Sequence, residues 1–110
     1  MPRVPERGDL VWMSATPQLG REQAGHRPYF VISRRKYNKL SRLALMCPIR
    51  SRSFGNSFEV KIPNGLRIEG VILSDQVRNL DWEARKSEFV CRLPTGIIEE
   101  VISKISTLLE

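Results

Sequence analysis

Cysteine and histidine are scarce in this chain: its 110 residues include two cysteines, Cys47 and Cys91, and one histidine, His26. Each cysteine sits beside apolar residues, with no third or fourth partner at zinc-ligand spacing, so the pattern predicts reduced, buried thiols. A single imidazole excludes a two-histidine acid–base pair and a histidine-based metal site within one chain. Long apolar runs are missing as well. The start, Met1-Pro2-Arg3-Val4-Pro5-Glu6-Arg7, offers nothing to serve as a signal peptide or a membrane span, and the expectation is a cytoplasmic protein. The length predicts one domain over residues 1–110, and the composition, 41% apolar and 27% charged, is that of a packed globule.

Acidic residues are absent from one long stretch. None occurs between Glu22 and Glu59, while Arg27, Arg34, Arg35, Lys36, Lys39, Arg42, Arg50 and Arg52 all fall there, within a net charge of +6. Such a block creates a positive field that attracts polyanions, because neutralising phosphates releases counterions; a solvated basic face has the same composition.

What is present is mostly short and β-forming. Residues 8–13, 28–33, 43–49 and 88–93 read as strands between Gly, Pro, Asn and Ser, with Pro48 marking an edge or bulge. Phe58, Val60 and Ile62 alternate with charged residues, Pro63-Asn64-Gly65 has turn chemistry, and Leu66 and Ile68 alternate again, which predicts a hairpin whose second arm runs on through 70–73. Residues 14–27 show no period and read as a long loop, a length usual for a working loop. From Pro94-Thr95 onward, Ile97, Ile98, Val101, Ile102, Ile105, Leu108 and Leu109 recur at helical spacing, and Glu100 and Lys104 stand at i,i+4. The expectation is a mainly β small barrel capped by a C-terminal helix.

Chemistry concentrates in Gly20-Arg21-Glu22-Gln23-Ala24-Gly25-His26-Arg27-Pro28. A guanidinium and an imidazole there suit a phosphate and a carboxylate suits a proton, while the same residues also fit a polar loop in which Arg27 pairs with Glu22 or Asp75. Trp82 reads as a core anchor, and Trp12 as a residue of the core or of a dimer edge.

Taken in order, Gly8-Asp9-Leu10-Val11-Trp12, Glu22 through Pro28, Tyr37-Asn38, Cys47-Pro48-Ile49, Phe58-Glu59-Val60, Gly70 through Val77 and Asp81 through Arg85 resemble the MazF/PemK toxin family over nearly the whole chain. The resemblance implies an SH3-like barrel that forms a homodimer, cuts single-stranded RNA (mRNA) without metal or cofactor, and is neutralised by a MazE-like antitoxin. It implies attack by the ribose 2′-hydroxyl, giving a 2′,3′-cyclic phosphate and a 5′-hydroxyl. Arg27 then corresponds to the transition-state stabiliser, Glu22 to a general base or a residue orienting Arg27, and Ser51 to a hydroxyl at the scissile phosphate. RNA contacts fall to His26, Gln23, Arg50, Arg52, Asp75, Gln76, Lys36 and Lys39.

Two departures from the family pattern stand out. After Cys-Pro-Ile the family usually carries a hydroxyl residue, and this chain reads Arg50-Ser51-Arg52. Either Arg50 supplies charge there, or Ser51 turns inward, or the site is weakened. After Trp12, Ser14-Ala15-Thr16-Pro17 replaces the usual acidic and aromatic residues, leaving a more basic first loop. Two other readings stay open at this point: a catalytically weakened homologue that only binds RNA or antitoxin, and a CcdB-like toxin directed at gyrase.

Overall fold

The computed structural model describes residues 3–14 and 25–110. Seven strands and two helices follow one another as β1 Asp9–Ser14, β2 His26–Val31, α1 Arg35–Ser41, β3 Ala44–Arg50, β4 Glu59–Lys61, β5 Val71–Leu73, β6 Arg78–Leu80, β7 Glu88–Arg92 and α2 Thr95–Leu108. The sheet is antiparallel, in the order β4-β5-β3-β2-β1-β7, with β6 pairing β3 as well. The mainly β fold with a C-terminal helix is as expected. Among the described residues β4 and β7 do not pair; α2 packs where they would meet, and its Ile98 and Val101 share a core with Val60 of β4 and with Leu93 just past β7.

Both faces of the central strands are covered. Leu10, Phe30 and Cys47 lie side by side across β1, β2 and β3 and join Val60, Ile62, Ile68 and Ile72 in the core under α2. The alternate residues Val11, Met13, Tyr29, Val31, Ala44 and Met46 form a second cluster around Trp82. Strands buried on both faces read as continuous apolar runs, which is why 28–33 and 43–49 lack alternation. Trp82 is the anchor predicted for it, 1% exposed, and its indole N–H donates to the Asn38 carbonyl at 3.1 Å.

Three features differ from the sequence expectation. Residues 35–41 form α1, which had no predicted counterpart. The hairpin arms are shorter than the alternation suggests: β4 pairs directly with β5, Lys61 opposite Val71, and 62–70 is a closing loop whose Ile62 and Ile68 tuck into the core. Pro48 lies in a central strand. It is tolerated because the far edge of β3 passes there from β6, ending at Met46, to β5, starting at Ile49, so no ladder bond is required of residues 47 and 48 on that edge.

Both thiols are free, Cys47 buried and Cys91 half-buried. Burial, with the nearby charge of Asp75 adding to it, pushes the Cys47 thiol up to about 12. Lys104 donates to the Ser57 carbonyl at 2.5 Å, where the i,i+4 spacing suggested Glu100 as its partner. No helix is long and apolar enough to cross a membrane among the described residues.

Candidate active-site cleft

The core-facing stripe of β1, β2 and β3 does not stop at Leu10, Phe30 and Cys47. Two residues further along, the same face carries Trp12 paired with Pro28, and Ile49 on β3, followed by Ser51. There the stripe leaves the core and becomes the floor of a cleft of about 510 Å³, lined by Trp12, His26, Arg27, Pro28, Ile49, Ser51, Arg67, Ile68 and Glu69. Trp12 is 39% exposed, so this indole belongs to the cleft rather than to the core.

His26 and Arg27 sit at the start of β2, not in the long loop that the missing period suggested. Arg27 lines the cleft and is exposed, and its Nη1 donates to the His26 carbonyl at 3.1 Å. Glu22 and Gln23, the other polar members of the predicted loop, lie outside the described residues. Arg67 and Glu69 bring a cation and a carboxylate to the opposite wall, and sequence reasoning missed both. Their alternation with Ile68 was the available signal, since it sets two polar residues together on one side of a buried isoleucine.

The chain places Ser51, rather than Arg50, in the cleft. Arg50 ends β3 opposite Val71 and turns to Glu59, with Nη2 to Oε2 at 2.5 Å, while its Nε donates to the Arg52 carbonyl at 2.9 Å. The guanidinium expected at a phosphate is therefore engaged within its own loop. Gly70 makes this arrangement possible. Its φ of +126° suits glycine, and a Cβ there would collide with the Arg50 carbonyl oxygen and stand 3.1 Å from the Ser51 Cα.

Glu59 is the hub of residues 51–58. Its carboxylate accepts from the Ser53 hydroxyl at 2.5 Å, the Phe54 N–H at 2.8 Å, the Gly55 N–H at 3.3 Å and Arg50. The Ser53 hydroxyl first, then the Phe54 N–H, and with them Arg50 and Gly55, hold this carboxyl down at about 2, against the opposing effect of burial.

The remaining predicted contacts lie elsewhere. Arg52 is exposed in the 51–58 loop, and Asp75 and Gln76 are exposed in the turn after β5. Lys36 and Lys39 project from α1, whose buried Asn38 contacts Trp82 on the opposite face of the sheet from the cleft stripe. Sequence proximity had grouped these cations with Arg27 because β2 leads into α1, but α1 packs on the Trp82 side of the sheet, away from the cleft stripe. Among the described residues no three His, Cys, Asp or Glu side chains gather into a metal-binding group.

Comparison with known proteins gives the family of the chain. Residues 6–109 match the family model of the PemK-like, MazF-like toxin of type II toxin–antitoxin systems. The chain is 37% identical over 106 residues to the endoribonuclease toxin MazF of Escherichia coli strain K12, covering 96% of this chain and 95% of that one. It is 34% identical to the endoribonuclease PemK of Escherichia coli, covering 94% and 81%. Among solved structures it is similar to MazF from Deinococcus radiodurans, at 43% identity, a TM-score of 0.86 and 97% of each chain. It is also similar to a MazE–MazF structure from the same organism, at 39% identity, a TM-score of 0.88 and again 97% of each chain. With the family pattern matched along nearly its full length and the fold shared at this level, the chain belongs to the PemK/MazF toxin family.

Proposed function

We propose that this chain is the toxin of a type II toxin–antitoxin system, a homodimeric endoribonuclease that cuts single-stranded RNA in the cytoplasm and is neutralised by a MazE-like antitoxin. The observation that carries this reading is the convergence of His26, Arg27 and Ser51, from β2 and the end of β3, with Arg67 and Glu69 in one open cleft. An open cleft suits a polymer, and cations facing a hydroxyl suit a phosphodiester.

RNA brings its own nucleophile. The substrate 2′-oxygen forms a bond to the adjacent phosphorus, the bond from phosphorus to the 5′-oxygen breaks, and a 2′,3′-cyclic phosphate and a 5′-hydroxyl result. A carboxylate takes the 2′ proton, with Glu22 as the base or as the group that orients Arg27, and the leaving 5′-oxygen takes a proton from Arg27 or from water. Arg27 holds two phosphate oxygens as negative charge builds on phosphorus, and the Ser51 hydroxyl donates to the same centre. His26 and Gln23 position the substrate. The gyrase-directed alternative makes no use of a guanidinium and a hydroxyl in one cleft.

The test is cleavage of a long single-stranded RNA in EDTA by the wild-type chain and by Arg27→Ala. Wild-type cleavage that Arg27→Ala lowers by at least about a hundredfold, and that a single 2′-deoxy substitution at the cut site abolishes, supports the mechanism. Cleavage that survives the 2′-deoxy substitution overturns it. Retained RNA binding without cleavage marks a weakened homologue.

A further inference from the structure

Phe54 is 70% exposed, yet it sits on one of the most heavily bonded loops of the molecule. Its ring lies 3.6 Å, centroid to guanidinium carbon, from Arg50. Arg50 is itself fixed from two sides, by Glu59 and by the Arg52 carbonyl. The backbone beneath the ring is equally constrained: the Phe54 and Gly55 N–H groups donate to Glu59, the Phe58 N–H to Asn56 Oδ1 at 3.0 Å, and Lys104 of α2 to the Ser57 carbonyl.

An exposed phenylalanine gains nothing from burial, so this network does not serve the core. With the guanidinium covering one face, the exposure of the ring comes from its other face and its edges. The loop leaves the cleft directly. Ser51 lines the cleft, and Ser51 and Glu69 also line a second cleft of about 510 Å³ that includes Ser53, so a continuous path leads from the reacting centre to the residue next to Phe54.

We propose that Phe54 is a stacking platform for a substrate base beside the cut, with Arg50 and Glu59 as positioning residues that hold the ring flat and ready. This rests on the endoribonuclease reading above and deepens it. A single strand presents unstacked bases, every base has a π-face, and a planar cation under an aromatic ring completes a guanidinium–ring–base sandwich. It also gives Arg50 a task. Its charge is neutralised by Glu59, so it serves the ring rather than a phosphate.

The experiment compares wild type, Phe54→Ala, Phe54→Trp and Glu59→Gln on a cleavable RNA and on a set of the same RNA with one base at a time replaced by an abasic sugar. Binding to a 2′-deoxy-blocked RNA is measured in parallel. Phe54→Ala is expected to raise KM and the blocked-RNA Kd about tenfold with kcat little changed, and Phe54→Trp to restore both. Wild type is expected to be sensitive to loss of one particular base near the cut, and Phe54→Ala to be indifferent to it. Glu59→Gln is expected to fall between the two.

A wild-type chain that cleaves normally while Phe54→Ala matches it on every RNA overturns the platform and leaves the nuclease reading intact. If Phe54→Ala treats RNA as wild type does but loses an acidic antitoxin peptide, the ring serves a protein partner and the platform is again overturned. A wild-type chain that binds the blocked RNA but leaves the unblocked, all-ribose RNA uncut overturns the nuclease reading, and the binding arm still decides the platform. If no RNA binds at all, both fail.

Discussion

The indole N–H of Trp82 and the backbone carbonyl of Asn38 meet at 3.1 Å inside the protein, both residues at or below 1% exposure. Asn38 is a junction. Its Nδ2 donates to the carbonyls of Pro5 and Ser33, at 2.8 and 3.0 Å, and its Oδ1 accepts from the Ser33 hydroxyl at 2.5 Å. Asn38 thus joins the N-terminal segment and the turn after β2 through its side-chain amide, and the loop carrying Trp82 through its backbone carbonyl.

Truncating that amide strands buried carbonyls and a hydroxyl with no water to replace it. Asn38→Ala is expected to destabilise the fold by about 3 kcal/mol, since each orphaned buried polar group costs about 1–3 kcal/mol. Thermal melting, with a fall of roughly 12 °C or more for a domain of this size, checks it. A loss below about 1 kcal/mol would mean that the network contributes little.

Gly70→Ala is expected to act at a distance from its own side chain. The added methyl strains a φ of +126° and drives the 50–51 backbone away. Stability should fall by about 2 kcal/mol. Cleavage should fall by at least about tenfold beyond what the unfolded fraction explains, because a catalytic hydroxyl displaced by a fraction of an ångström loses its alignment. Denaturant titration and kcat on the same preparations separate the two effects.

Acid should loosen the 51–58 loop through Glu59. Its carboxyl is depressed from an ordinary 4.5 to about 2, so the ionised form favours the folded state. That contribution is complete above about pH 4.5 and is lost as pH falls through about 2. Denaturation midpoints of wild type should therefore decline across this window more steeply than those of Glu59→Gln, whose stability at neutral pH is already lower. Parallel curves for the two proteins would show that the hub carries no linkage.

The strands were legible because their apolar content is dense, and α2 because its apolar residues keep helical spacing. The helix α1 was not legible, since Asn38 is its one buried residue and Leu40 is 76% exposed, leaving no apolar stripe to detect. Nor was β6, three residues long and mostly polar. In the site, a run of Arg50-Ser51-Arg52 does not say which side chain faces inward. That choice is made by Gly70 and Glu59, distant in sequence, one by admitting the backbone and the other by capturing the guanidinium. The same limit explains why Lys36 and Lys39 lie apart from the cleft, because nearness along the chain does not survive a change of sheet face.

The cleft has a floor from β1, β2 and β3 and a wall from 67–69, so no continuous stretch of chain contains it. Fragments ending before Arg67 would hold Arg27 and Ser51 without the surface that faces them. The floor strands are in turn flanked by β7 and packed under α2, so the cleft is a property of the assembled domain and of no single segment within it.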